Sequence, residues 1–137
     1  MGLYLCIYDP DDEEVDGVEV GSYQDFADFR EAVLKLEGAR PGRRFPLLMT
    51  HSDCDGEWRW EFAEELQSEL EMIRDELRQF PPLPELGEWQ SKVAAQFRIR
   101  PQNLAESFFD VDGTPLLDRL IELAKRSSAR ELDIVFQ

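Results

Sequence analysis

Apolar and polar positions alternate along this chain with two different periods, and the switches between them mark the elements. Leu3 to Tyr8 is a nearly unbroken apolar and aromatic run ended by Asp9-Pro10, which predicts a strand. The acidic loop DPDDEEVDG follows. Val18 and Val20 then alternate around Glu19 as in a short second strand, a hairpin partner of the first. Ser22-Tyr23-Gln24-Asp25 has the form of a capping box with an aspartate in the fourth place. Phe26, Phe29, Val33 and Leu36 recur at helical spacing, so an amphipathic helix should start there and stop at Gly38. After the basic loop GARPGRRFP, Leu47 to Thr50 reads as a short strand leading into HSDCDGEW.

The longest helix should run from about Trp60 to Gln79, with Phe62, Leu66, Leu70, Ile73, Leu77 and Phe80 as one apolar stripe. Glutamates and aspartates fill much of its remaining surface. PPLPELG breaks it, because successive prolines remove backbone donors and clash with the preceding turn. A shorter helix over Trp89–Phe97 and a strand over Glu106–Val111 come next. Thr114 is placed to cap a further helix, with Pro115 at its first position and Leu116, Leu117, Leu120, Ile121 and Ala124 facing inward. DIVFQ closes the chain as a strand. The order β-β-α-β-α-α-β-α-β, with no linker long enough to divide it, predicts a single α+β domain over residues 1–137. Its sheet should be mixed and four- to five-stranded, partly parallel, with helices packed on it.

At 137 residues the chain can bury a core without disulfides. Cys6 lies in the first apolar run and Cys54 in a polar turn, and a single histidine leaves zinc short of ligands. No apolar run approaches the length of a bilayer span, so the expected compartment is the cytoplasm. Charge alters the picture more. Thirty acids face fifteen bases, for a net charge of −15. Residues 1–37 hold 11 acids and 2 bases and residues 57–88 hold 10 and 3, whereas residues 89–137 are balanced at 7 and 7. Such a field repels nucleic acid and anionic membranes and draws in basic partners.

Three motifs carry candidate chemistry. FFDVDGTPLL has the form of the nucleophile motif of the haloacid-dehalogenase-type phosphatases, in which Asp110 would attack phosphorus, Asp112 would move a proton, and both would hold magnesium. That chemistry needs further acids, a hydroxyl and a lysine from later units, and only 24 residues follow Gly113. A strand, an Asp-Gly turn and a helix start explain the same residues. Asp53-Cys54-Asp55-Gly56 and Asp110-Val111-Asp112-Gly113 both show the D-x-D-G of a calcium loop. Aligning the glycines puts His51 and Phe62, or Phe108 and Arg119, at the first and twelfth ligand positions. Neither pair fits. Asp53, Asp55, Asp110 and Asp112 therefore remain weak metal candidates, as ligands in a magnesium-dependent phosphate hydrolase, the rival reading. His51 with Cys54 is the one base-and-thiol pair. Trp58 and Trp60 flank Arg59 and either anchor the long helix or offer an interface contact. Arg40, Arg43 and Arg44 form a basic loop suited to neutralising nearby carboxylates.

The phrases MGLYLCIYD, GVEVGSYQDF, LMTHSDCDGEW and FFDVDG, with the short closing strand, together resemble a family of bacterial immunity proteins from polymorphic-toxin systems, immunity protein seventy. The resemblance implies a small cytosolic α+β protein that binds and neutralises a cognate toxin. It implies no catalytic residue and no cofactor. The composition adds an expectation of how: an acidic surface steers towards a basic toxin. The candidate contacts are Asp9, Asp11, Asp12, Glu13, Glu14 and Asp16 of the first loop, Glu61, Glu64 and Glu65 of the long helix, and Trp58.

Overall fold

The computed structural model describes residues 2–137, so Met1 of the opening phrase lies outside the described residues. The first apolar run forms β1 (Gly2–Tyr8) and pairs antiparallel with β2 (Glu14–Ser22), a longer strand than the Val18–Val20 alternation suggests. The register slips between Leu3 and Tyr4 and again between Ile7 and Tyr8, leaving two bulges in the β2 ladder. Ser22 then caps α1 (Tyr23–Leu34) through the predicted box: its Oγ accepts from Asp25 N, and Asp25 accepts from Ser22 N. A 3₁₀ turn over Lys35–Glu37 ends at Gly38, whose φ of 70° is the left-handed stop that glycine adopts without strain.

The segment over Leu47 to Thr50 is not a strand. Pro46–Met49 form one helical turn, α2, with proline at its start. The Glu69 carboxylate accepts from Leu47 N and Leu48 N at 3.2 Å each and supplies the partners that a free helix end lacks. The third strand is instead β3 (Glu57–Trp58). The long helix begins with a 3₁₀ turn over Trp60–Phe62 and continues as α3 (Ala63–Leu77); α4 spans Glu88–Phe97. Residues Glu106–Val111, expected as a strand, make only a 3₁₀ turn over Ala105–Ser107 and one isolated bridge between Phe109 and Pro115. Asn103 accounts for the turn: its Oδ1 accepts from Glu106 N, and its Nδ2 donates to Glu106 Oε2. α5 (Leu116–Arg130) starts one residue later than expected, with Pro115 rather than Thr114 in the cap position and no side-chain cap bond. β4 (Ile134–Phe136) closes the chain.

Among the described residues the sheet has four strands in the order β2-β1-β4-β3, and every neighbouring pair is antiparallel. The α+β expectation holds, and the parallel portion does not. β1 and β3 do run the same way, but β4 inserts between them and runs against both. Leu3, Leu5, Ile7, Val18, Val20, Trp58, Ile134 and Phe136 point to one side, where they share a core with Phe26, Phe29, Leu66, Leu70, Ile73, Leu117 and Leu120 of the helices. α3 packs chiefly on α5. Alternation sends Tyr4, Cys6, Tyr8, Gly17, Glu19 and Val135 to the opposite side, and none of them belongs to that core.

Candidate functional site

Register decides which acidic residues are neighbours. Ile7 pairs with Ile134, and Ile134 pairs with Trp58, so these three form one row across the sheet. Beyond that row, at the same end, lie the hairpin loop after Tyr8, Asp133 before Ile134, and the start of the α3 segment after Trp58. Asp133 stitches this end together, its Oδ1 accepting from Trp60 N at 2.8 Å. Asp11, Asp12, Glu13, Glu14, Glu61, Glu64 and Glu65 are all exposed. Asp9 is only partly exposed: its Oδ1 accepts from Asp11 N and Glu13 N at 2.9 Å each and shapes the loop. Glu61 pairs with Arg59 at 2.7 Å. Phe62, read from the sequence as part of the buried stripe, is instead 45 % exposed. Its neighbours Pro46, Leu47, His51 and Trp58 line an open, mainly apolar groove of about 350 Å³.

Other acids are engaged by the fold itself. Glu37 is fully buried and accepts from Gly42 N, Arg44 N and Phe45 N at 3.1, 2.9 and 2.8 Å, which shapes the basic loop. Arg44 of that loop then forms a two-pronged pair with Glu76, its nitrogens 2.7 and 2.5 Å from the carboxylate oxygens, towards the C-terminal end of α3. Asp25 accepts from Trp89 Nε1 at 2.9 Å and Gln90 Nε2 at 2.6 Å besides its capping bonds. Burial works to raise its pKa, but the donors from Trp89, Ser22 and Gln90 outweigh that and hold it below the ordinary aspartate value. Burial pushes Glu69 the other way, upward, against the opposing bonds from Leu47 and Leu48. Asp16 points inward, 3.3 Å from Arg119 and 3.4 Å from Arg126 of α5, and so offers little free charge.

The two D-x-D-G turns have different fates. Asp110 is buried; its Oδ1 accepts from Asp112 N and Thr114 N at 3.0 Å each, and its Oδ2 lies 3.5 Å from Arg119 Nε. Both oxygens are thus committed to a turn and an ion pair, while Asp112 is exposed. Asp53 and Asp55 project into solvent from the other turn. Among the described residues no three His, Cys, Asp or Glu side chains are arranged to hold a metal ion. The His51 and Cys54 pair is not assembled either. Both imidazole nitrogens face main-chain carbonyls, Nδ1 that of Ser52 at 2.8 Å and Nε2 that of Glu57 at 2.9 Å, while the thiol contacts Ser52 Oγ at 3.6 Å. Trp58 is buried, donates from Nε1 to Leu47 O and meets Phe136 edge-on, so it anchors the core while one edge lines the open groove beside Phe62.

The chain matches the family model described as immunity protein 70 over residues 3–136. It belongs to that immunity-protein family. No curated protein and no solved structure matches the chain. Membership implies a toxin as the partner of this immunity protein. Among the described residues no helix is long and apolar enough to cross a membrane.

Proposed function

We propose that this protein neutralises a cognate toxin by binding it, without catalysis, and that the acidic end of the sheet makes the contact. The reading rests on one convergence: the hairpin loop with Asp11, Asp12, Glu13 and Glu14 and the helix start with Glu61, Glu64 and Glu65 stand at the same end of the sheet. Asp9 shapes the loop, and the exposed Phe62 follows Glu61 on the helix start. Carboxylates so grouped complement a basic cleft of the kind a toxin acting on a polyanion must have. The work is done in the cytoplasm, where the toxin would otherwise act.

Calorimetric titration against the toxin encoded beside the gene, from low to moderate salt, tests the proposal. Binding that weakens steeply with salt supports it, because the Debye length falls to about 10 Å at 0.1 M. A complex indifferent to salt removes the electrostatic mechanism, and no complex at all removes the immunity reading. The rival magnesium-dependent hydrolase predicts divalent-ion uptake that Asp110→Ala and Asp53→Ala abolish, readable in the same instrument.

A further inference from the structure

The side of the sheet turned away from the core has its own chemistry. The strand segments GLYLCIY, EVDGVEVGS, EW and IVF contain no lysine, arginine or histidine. Asp16 faces the helices, so the charge of the outer side comes from Glu14, Glu19 and Glu57, all exposed. Cross-strand pairing groups them: Tyr8 opposes Glu14, Tyr4 opposes Glu19, and Glu57 opposes Val135 beside Cys6.

Two tyrosines occupy this side in fixed positions. A Cβ on Gly17 would come within 2.1 Å of Tyr4 Oη, so the Tyr4 ring lies against the bare main chain at Gly17. The Glu14 carboxylate beside its hydroxyl, aided by burial, pushes the Tyr4 pKa up to about 12. Tyr8 donates from Oη to Gln137 Oε1 at 3.0 Å and lies beside the Cys6 thiol. The core needs neither ring. Tyr4 is held by its contact with Gly17 and Tyr8 by its bond to Gln137, and both are partly exposed. Each has thus given up some of the freedom that binding would cost, a condition that favours tyrosine as an interface anchor.

We propose that this sheet face is the docking platform for the toxin and that the surface it fits is basic, an apolar contact on Tyr4 and Tyr8 ringed by lysines or arginines opposite Glu14, Glu19 and Glu57. The inference rests on the immunity reading and extends it from the end of the sheet onto its face, with Glu14 belonging to both. The complementarity is one of sign: a partner drawn by the net charge of −15 meets here a face without a single competing cation on its strands.

The test measures affinity for the toxin encoded beside the gene, with thermal unfolding recorded for every variant. Tyr4→Ala with Tyr8→Ala should weaken binding by at least about thirtyfold, the loss expected of a hot spot. Glu14→Lys with Glu19→Lys should slow association, and Glu64→Lys with Glu65→Lys on α3 should cost less than either. Hydroxyl-radical footprinting of the wild-type complex supplies a second readout that needs no variant: Tyr4 and Tyr8 should lose reactivity on binding. Wild-type affinity in the double tyrosine variant, or an unchanged footprint, overturns the sheet-face proposal and leaves the immunity reading standing. A wild-type protein that does not bind the toxin overturns both.

Discussion

Glu37 and Glu64 are the same side chain in two opposite situations. Glu37 is fully buried and receives three main-chain N–H groups; Glu64 projects into solvent from the first turn of α3, with no hydrogen bond to its carboxylate among the described residues. The first is an internal fastener for a loop, the second a source of field. Asp25, Asp16, Asp110 and Glu69 side with Glu37, and Asp11, Asp12, Glu13 and Glu65 side with Glu64. The formal charge of −15 therefore overstates what a partner can feel, because part of it is already answered inside the fold. Near the basic loop Glu37 and Glu76 are taken up by the fold, whereas Asp11, Asp12 and Glu13 of the hairpin loop have no ion-pair partner among the described residues.

Removing an interior member should cause the largest change. Glu37→Ala leaves three N–H groups of the 42–45 loop without their acceptor and should cost about 3–5 kcal/mol in urea unfolding. An unaltered midpoint would show that the loop is held by other contacts. Asp110→Ala should cost about 2–3 kcal/mol, since two turn N–H groups and Arg119 lose their partner, whereas Asp112→Ala should stay within about 0.5 kcal/mol. Equal effects would erase the distinction drawn between the two aspartates. Asp25→Asn should cost about 1 kcal/mol as a weakened cap, and its effect should depend on pH. The folded pKa of Asp25 is depressed, so its contribution is complete above the unfolded aspartate value near 3.9 and fades as pH falls through the folded value. The gap between wild type and Asp25→Asn should therefore be constant near neutrality and close in acid. A gap that widens in acid would reverse the assigned shift.

Much of the architecture was legible because its causes are local. The run Leu3–Tyr8, the Ser22 and Asp25 box, the Gly38 stop and the spacing within α1, α3 and α5 each lie within a few residues of what they determine. The failures have remote causes. Leu47–Thr50 has the composition of a strand, yet Glu69, some twenty residues on, caps it as a helical turn. No pattern in the sequence announces that β4 slips between β1 and β3 and makes the whole sheet antiparallel. The acidic character of the chain was visible in composition, but the division of labour among its carboxylates was not. Asp25 meets Trp89 across 64 residues and Asp16 meets Arg119 across 103. Phe62 fits the helical stripe by spacing, but it sits on the 3₁₀ turn, out of phase with the α-helical positions that follow.

The slipped register of β2 has a consequence for the rim of the sheet. A nine-residue strand at the rim of a sheet is long enough to recruit another chain and seed a fibril. Two breaks in its ladder, one near each end, shorten the stretch a newcomer could zip onto, and the opposite rim offers only the two residues of β3. The sheet thus exposes little regular edge for a second copy to extend.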